Sequence, residues 1–341
     1  MLTTAKAIKS ADCSAPSLTE VLDALGEPTT PKVIETPLSW VILTDRHAFK
    51  MKKAVDSGDA KFSSPASRRR SCMDEVWRNE RLAPGVYLGI VALTRGRDGV
   101  LRLAMKGTEV EWLVKMRRLQ VERNLKSLLQ HRQVCRSQVG ELARAVTEFY
   151  RSGAPQPDQI DELCARIQRR INDNAKMLIE RLPAKAGNAV RRLREIQRDY
   201  LNSSRAVLKV RVCDGRIVDG HGELLPEHIF LERRPVVIGC VDYSARLRKL
   251  DALDDLGLLA MECEHLGRDD IADEIMATYR ASANDEGFPH LEAFYKSLHA
   301  CRQAANACRA SGDRGQRMSR SSADEATSYL EQAKHYVSNL T

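Results

Sequence analysis

The residues with the clearest capacity for chemistry lie in one stretch, residues 217–243. It contains His221, Glu223 and His228 among framing apolar residues. The order of residue types predicts a short strand, a tight polar turn, and two further strands joined by a turn, the last of them ending at Gly239. A carboxylate held in such a turn can act as a general base, and an imidazole nitrogen can bind a transition metal. We therefore treat this stretch as the candidate site.

The stretch resembles the catalytic loop and metal-binding strand of the bacterial aminoglycoside-phosphotransferase-like family, which is kinase-like. The family's loop runs H-G-D-x-H-x-x-N, and its metal-binding strand ends in an aspartate. The chain keeps His221 and Gly222 of this pattern. It has Glu223 at the position of the catalytic base, His228 at the asparagine that binds metal, and Gly239 at the aspartate that binds metal. The resemblance makes His221 a catalytic candidate; a role in holding the turn by hydrogen bonds is the alternative.

These replacements change what the site can hold. Magnesium prefers oxygen ligands in near-octahedral geometry, so Gly239 supplies no ligand and His228 supplies a nitrogen that zinc or manganese accepts more readily. Glu223 can still act as a base, with its carboxylate displaced by roughly 1 Å. Asp242, where the family has glutamate, is the candidate substitute as catalytic residue and metal ligand, and Glu227 is another. ATP is the candidate cofactor, whereas the ligand set argues against a magnesium or manganese site.

The elements before this stretch must position a nucleotide. Residues 32–36, 39–44 and 48–52 predict three strands, the last two joined as a hairpin. The resemblance rests there on Ile34, Glu35, Thr36, Ser39, Trp40, Val41, Leu43, Thr44, Ala48, Lys50, Lys52 and Lys53. It implies that Lys50 contacts the nucleotide phosphates and pairs with a helix glutamate. Lys52 lies on the same strand face, because strand side chains alternate, so the choice between the two lysines stays open.

The partner helix is predicted at residues 68–82, after a loop at 55–67. Its resemblance to the family rests on Glu75, Asn79, Arg81, Leu82, Ala83 and Pro84, and it implies that Glu75 is the partner of the strand lysine. Further strands are predicted at 87–93, 100–103 and 111–116. The last resembles the family's E-x-x-V-K-M, which implies that an adenine lies against the backbone of Lys115 and Met116.

The rest of the chain is predicted to be mainly helical. Residues 119–209 show the apolar spacing of helices, with breaks at 153–157 and at Pro183. Beyond the candidate site, Asp251 and Asp255 match the family pattern R-x-x-D-x-x-x-D-L. For both we predict a structural role, either hydrogen-bonding the catalytic loop or capping a helix. A linker at 311–321 precedes a closing helix at 322–337.

These elements predict an α+β, two-lobed protein-kinase-like fold. Residues 1–30 would form an amino-terminal extension with a short helix that has a capping-box pattern. Residues 31–117 would form a small β-rich lobe with one main helix. Residues 118–310 would form a larger helical lobe that contains the catalytic-loop region 217–243, and residues 311–341 the linker and last helix.

Composition limits the class of protein. The chain has 341 residues, but we find no apolar run of membrane-spanning length and no signal-peptide core. Nine cysteines form no CxxC pair, which favours reduced thiols over a zinc site. We therefore expect a cytoplasmic protein with no membrane partner.

The net charge of +8 is concentrated in residues 166–216, which carry 14 Lys or Arg against five Asp or Glu. Such a surface can attract nucleic acid or an acidic partner, and a solvated helical face is the alternative. Because aromatic residues do not alternate with the basic ones in the pattern of single-strand binders, we do not expect nucleic acid as the partner. A nucleotide or small-molecule ligand is expected, and a protein partner is a further candidate.

Two functional hypotheses follow from the altered motif. In the first, the protein is catalytically impaired, of the pseudokinase type, and acts by binding a nucleotide, a small molecule or a partner. In the second, it is an active ATP-dependent small-molecule phosphotransferase with a non-standard metal site. The acceptor cannot be assigned in either case, because one fold supports many substrates.

Overall fold

A computed structural model of the chain describes residues 15–26, 31–104, 106–153, 159–286, 288–310 and 319–340. The chain divides into two compact units. The sheet unit comprises residues 1–124 and 230–247, and the helical unit comprises residues 125–229 and 248–341. The α+β kinase-like fold predicted above, with a β-rich amino-terminal lobe and a helical carboxyl-terminal lobe, is confirmed.

The sheet unit is built mainly from antiparallel strands. In chain order its first elements are α1 (Leu18–Leu25), β1 (Lys32–Glu35), β2 (Ser39–Leu43), β3 (His47–Lys52), β4 (Asp56–Ser57), β5 (Ala60–Lys61), α2 (Pro65–Asn79), β6 (Tyr87–Arg95), β7 (Leu101–Leu103) and β8 (Thr108–Arg117). Six strands form one sheet in the order β1-β2-β3-β8-β6-β7, and β4 pairs with β5. The strands predicted in residues 32–116 are present with small differences at their ends. The capping box predicted for α1 is also present, between Ser17 and Glu20.

The prediction for helix α2 was wrong at both ends. We predicted residues 68–82, but the helix begins at Pro65 and ends at Asn79. Ser64 is the N-cap, and its hydroxyl accepts a hydrogen bond from the backbone N–H of Ser67 at 3.2 Å. Proline suits the first helical position, because its missing N–H would have no helical partner there. The short β4–β5 pair lies in the segment that we predicted to be a loop.

Alternation along β3 determines what each face of the sheet presents. Phe49 and Met51 point to the side where they pack with Val21 of α1. Ala48 points to the other side, where it packs with Cys72 of α2. Because strand side chains alternate, the two lysines of β3 lie on the face that carries α2. The sheet thus brings these lysines to the partner helix.

The helical unit and the segment that returns to the sheet unit contain the remaining elements. They are α3 (Leu125–Gln130), α4 (Arg136–Ser152), α5 (Ile160–Arg181), α6 (Ala184–Ser203), α7 (Arg205–Cys213), β9 (Ile217–Asp219), β10 (Ile229–Leu231), β11 (Pro235–Val237), α8 (Ala245–Arg248), β12 (Lys249–Asp251), α9 (Ala252–His265), α10 (Asp269–Ala283), α11 (Pro289–Ala310) and α12 (Arg320–Ser338). Strand β9 pairs with β12, and β10 pairs with β11. The third strand of the candidate site ends at Val237, two residues before the predicted end.

The predicted helix breaks are confirmed where the structure describes them. Pro183 separates α5 from α6, because its ring and missing N–H disfavour continuation of a helix. The break at 153–157 and most of the linker at 311–321 lie outside the described residues. The closing helix begins at Arg320, after the N-cap Ser319. Within the described ranges, no helix combines the length and apolarity that crossing a bilayer requires.

One buried arginine joins three elements of the helical unit. Arg211 of α7 donates to Asp251 at the end of β12 and to both oxygens of Asp285 after α10, at 2.7 and 2.8 Å. All three side chains are at least 97% buried. Asp251 also caps α9 by accepting from the backbone N–H of Leu253 at 2.9 Å. The capping role predicted for Asp251 is confirmed.

The substitution Arg211→Ala should lower the free energy of unfolding by about 3–5 kcal/mol, because it removes the paired cation from the buried Asp251 and leaves Asp285 with the more distant Arg216, at 3.9 Å. Arg205→Ala is the matched control on the same helix, since Arg205 pairs with the exposed Asp161. An exposed pair contributes little to stability, so the control should resemble the parent protein. Urea unfolding followed by circular dichroism measures both variants. Equal losses would contradict the structural role of Arg211.

Candidate functional site

The carboxylate of Asp255 holds the candidate catalytic loop through hydrogen bonds to its backbone. Asp255 accepts hydrogen bonds from the backbone N–H groups of His221 and Gly222, at 2.6 and 3.0 Å, and from the hydroxyl of Tyr150 at 2.9 Å. A Cβ on Gly220 would come within 2.7 Å of the Asp255 carboxylate, so this close approach requires glycine. Burial raises the pKa of Asp255 to about 6, and the three donors oppose that rise. The prediction that Asp255 hydrogen-bonds the loop is confirmed.

The loop fixes the backbone of Glu223 and leaves its carboxylate open. The N–H of Glu223 donates to Nδ1 of the fully buried His221 at 3.3 Å, and its carbonyl accepts from Nδ1 of His228 at 2.9 Å. Among the described residues, its carboxylate makes no hydrogen bond or ion pair. A neutral His228 therefore keeps Nε2 as its acceptor nitrogen. His221 makes the turn-holding contact that we gave as its alternative role.

The lysines of β3 meet two carboxylates in the sheet unit. Lys50 Nζ lies 2.7 Å from Oε1 of Glu75, and Lys52 Nζ lies 2.6 Å from Oε2 of the same residue. Lys52 also donates to Oδ2 of Asp242 at 2.6 Å, and the hydroxyl of Ser71 donates to that oxygen at 2.7 Å. Glu75 thus pairs with both lysines. We name Lys50, Lys52, Glu75 and Asp242 the lysine–carboxylate cluster.

Burial distinguishes the two lysines. The side chain of Lys52 is 2% exposed, whereas that of Lys50 is 21% exposed. Burial alone would lower the pKa of Lys52, but the charges of Glu75 and Asp242 raise it above its usual value. Burial would likewise raise the pKa of Asp242, but Lys52 and Lys50 hold it below its usual value. Lys52 and Asp242 therefore stabilise each other as an ion pair, and Lys50 is the lysine that a ligand can reach.

The segment after β11 is fixed to α2 and β6. The N–H of Gly239 donates to the hydroxyl of Tyr87 at 3.3 Å, and the N–H of Cys240 donates to Oδ1 of Asn79 at 3.0 Å. Gly239 has a φ of +79°, which is unfavourable for most residues with a side chain. Position 239 therefore lacks a carboxylate and also has a backbone conformation that favours glycine.

Lys115 and Met116 lie in the middle of the sheet. Strand β8 pairs with β3 on one side, where Lys115 faces Phe49, and with β6 on the other, where Met116 faces Tyr87. A strand with neighbours on both sides uses its backbone groups in the ladders. The contact of an adenine with the backbone of these two residues stays a prediction.

A charged cluster that no sequence motif predicted lies between α5, α9 and α11. The imidazole Nε2 of His299 lies 2.8 Å from both the carbonyl and Oδ1 of Asp254, and the guanidinium of Arg170 pairs with the same carboxylate. Burial lowers the pKa of His299 to about 4. The neutral ring therefore donates from Nε2 and keeps Nδ1 as an acceptor. These residues are 45 to 129 positions apart in the chain, so no local pattern announces them.

The donor set does not fit the magnesium site that the family resemblance implies. Position 239 has no side chain, His228 offers nitrogen, and Oδ2 of Asp242 already accepts from two donors. Within the ranges that the structure describes, no group of three or more His, Cys, Asp or Glu side chains could hold a metal ion.

The substitution Lys52→Ala should destabilise the protein more than Lys50→Ala. Removing Lys52 leaves Asp242 and one oxygen of Glu75 buried without their cation, which costs about 3–5 kcal/mol of unfolding free energy. Lys50 is partly exposed and contacts one oxygen, so solvent replaces much of its contribution. Urea unfolding of both variants provides the comparison. A larger loss for Lys50→Ala would show that the cluster is not held by Lys52.

Stability should fall as the pH falls from about 6.5 to about 4, and His299 should contribute to the fall. Its pKa is about 4 in the folded protein, so between these values the unfolded chain binds a proton that the folded protein does not. The contribution reaches about 3 kcal/mol. His299→Gln should lose this part of the pH slope, and His131→Gln, at an exposed position, should keep it. Urea unfolding at several pH values tests this; parallel slopes for all three proteins would contradict it.

The chain is similar in sequence to proteins of two mycobacteria. No family model matches the chain. Uncharacterised proteins of Mycobacterium bovis and Mycobacterium tuberculosis are 30% identical over 280 residues, which cover 81% of this chain and 54% of theirs. The chain thus spans about half the length of these relatives.

Solved kinase structures share the fold at low sequence identity. A choline kinase from Cryptosporidium parvum aligns with a TM-score of 0.52 and 10% identity, over 94% of this chain and 96% of that one. A glucosamine kinase in complex with glucosamine, ADP and inorganic phosphate aligns with a TM-score of 0.51 and 13% identity, over 91% of this chain and 76% of that one. The chain therefore shares the kinase-like fold of these choline and glucosamine kinases.

Proposed function

We propose that this protein uses a phosphotransferase-like fold to bind a nucleotide or another small molecule, and that its magnesium-dependent phosphoryl transfer is impaired. The observation that carries the proposal is the position of Asp242. Its carboxylate was the candidate substitute for the ligand missing at Gly239, but it serves as the buried counter-ion of Lys52. Recruiting it to a metal would leave that cation with Glu75 alone.

Phosphoryl transfer depends mainly on positioning and on neutralising the charge of the phosphates. In kinases, metal ions supply much of that charge. Here the residues at the two metal-ligand positions are His228 and Gly239, which do not make an oxygen site for magnesium. The loss of transfer activity thus follows from the ligands rather than from a damaged fold, because Asp255 still holds the catalytic loop.

The pair of Lys50 and Glu75 supports nucleotide binding. Lys50 and Glu75 form the strand-lysine and helix-glutamate pair that the kinase logic requires, at 2.7 Å, and Lys50 is partly exposed. The glucosamine kinase noted above is a structure that contains ADP. A nucleotide is accordingly our first candidate ligand, with phosphates on Lys50.

The second candidate function is an active phosphotransferase with a non-standard metal site. The open carboxylate of Glu223 favours it, because a general base must be free to accept a proton. The Nε2 atom of His228 would be the metal-binding nitrogen, and zinc or manganese rather than magnesium would suit it. This candidate differs from the first by predicting metal-dependent turnover.

Partners and location remain proposals. Part of the charge in the basic segment 166–216 is used inside the helical unit, since Arg170 and Arg211 pair with buried aspartates. This supports our expectation that nucleic acid is not the partner. A protein partner stays a candidate, because the chain spans only about half the length of the mycobacterial relatives that it matches. We expect a cytoplasmic location.

Addition of ATP should raise the melting temperature by the same amount with EDTA as with Mg²⁺ or Mn²⁺, and ATP turnover should be absent. Lys50→Ala should weaken this stabilisation about tenfold or more in apparent affinity, because it removes a charged phosphate contact. Lys53→Ala is the matched control, since Lys53 pairs with the exposed Glu35. Thermal shift and an ATP-turnover assay measure these effects.

Metal-dependent stabilisation together with turnover that is lost in Glu223→Gln would favour the second candidate and overturn the first. If ATP fails to stabilise the protein under any condition, nucleotide binding is excluded as the function. In that case the binding proposal would rest on another small molecule alone.

A further inference from the structure

Helix α11 carries two buried polar groups without partners. Nε and Nη2 of Arg302 are buried and have no hydrogen-bond acceptor among the residues that the structure describes. Nδ1 of His299 is likewise buried and has no donor. The two residues are three positions apart on one helix, so they lie on the same face. Buried polar groups in folded proteins almost always have partners, so this pair requires an explanation.

The neighbouring acids do not satisfy Arg302. The charges that act on it are the carboxylates of Glu223, Asp254 and Glu262 and the guanidinium of Arg170, and burial lowers the pKa of Arg302. Asp254 is already bonded to Arg170 and His299. Glu262 accepts from Gln303 at 2.6 Å and from Tyr329 at 3.1 Å. The carboxylate of Glu223, as noted, makes no bond within the described part of the chain.

The unsatisfied groups of Arg302 and His299 need opposite hydrogen-bond partners, an acceptor for Arg302 and a donor for His299. A guanidinium presents a rigid fork of donors that matches a carboxylate or a phosphate through two parallel bonds. The neutral imidazole of His299 donates from Nε2 to Asp254, so Nδ1 accepts and calls for a hydroxyl or amine donor. A ligand that completes both groups therefore carries an anion and, beside it, a donor such as a hydroxyl.

We propose that Arg302 and His299 form a binding site for a small anionic ligand, with its phosphate or carboxylate on Arg302 and a hydroxyl on Nδ1 of His299. The inference deepens the proposed function, because it rests on the binding of a small molecule by this fold and states the chemical class of that molecule. The anion could belong to the acceptor itself or to a nucleotide phosphate. Both sources share the same chemistry at Arg302, and the experiment separates them.

The test uses three probes that differ mainly in charge: glycerol, glycerate and glycerol 3-phosphate. Thermal shift and calorimetry are measured on the full chain and on Arg302→Met. Glycerate or glycerol 3-phosphate should raise the melting temperature of the parent protein, whereas glycerol should not. Arg302→Met should weaken anion binding about 10- to 100-fold, because it removes charged hydrogen bonds. Arg309→Met, at an exposed position of the same helix, is the control and should bind like the parent.

The protein without ligand provides an independent measurement. If Arg302 awaits a ligand, Arg302→Met removes a guanidinium whose buried Nε and Nη2 have no acceptor among the described residues, and the melting temperature should stay constant or rise. If Arg302 instead holds the fold together, the melting temperature should fall strongly. Arg302→Lys keeps the charge and removes the fork, so it should fold like the parent and still bind the anions more weakly. His299→Gln should lower the affinity for glycerate.

Three results would overturn the inference: no response of the parent protein to either anion or to ATP, equal responses in Arg302→Met, or a strong loss of stability in that variant without ligand. A response to ATP that disappears in Arg302→Met, with none to the small anions, assigns the anion to the nucleotide phosphate. If glycerate raises the melting temperature in an Arg302-dependent way and ATP does not raise it, the result supports this site and excludes nucleotide binding.

Discussion

A buried ammonium group connects three elements of the sheet unit. Lys52 lies between Glu75 of α2 and Asp242 of the segment after β11, and each contact measures 2.6 Å. Removing a charge from water costs several kcal/mol, and only close pairing offsets that cost. The helix, the strand and the returning segment are therefore tied to one another by a single ammonium group. Asp242 holds this position because the fold needs its charge there, and this use competes with metal binding.

The helical unit shows that the shape of a catalytic loop and its chemistry can be separated. Asp255 holds the turn through two backbone N–H groups, and Gly220 allows the close approach. Neither contact involves the residue that would accept a proton or bind a metal. The turn is therefore held independently of the side chain at position 223. A chain can keep a kinase-like loop after the ligands have changed, so the fold alone does not establish activity.

The sequence predicts features that depend on local spacing. Strand alternation placed Lys50 and Lys52 on one face, and residue types predicted the cap at Ser17 and the helix break at Pro183. The start of α2 was also encoded, by Ser64 and Pro65, although we placed it three residues too late. Contacts between distant residues were not predictable in this way. Nothing near Asp242 in the chain indicates that Lys52, 190 positions away, takes its charge.

The two units differ in how their charges are balanced. In the lysine–carboxylate cluster two cations meet two carboxylates, so the sheet unit has no unpaired charge there. Around α11 the carboxylates already have partners or stay open, and the donors of Arg302 remain unused. If a kinase-like fold binds an anionic ligand without magnesium, its own side chains must neutralise the charge of that ligand. Lys50, which is partly exposed, is a candidate for that purpose in the sheet unit, and Arg302, which has unused donors, is a candidate in the helical unit. Charge supplied by the protein itself is then the physical basis of the proposed binding.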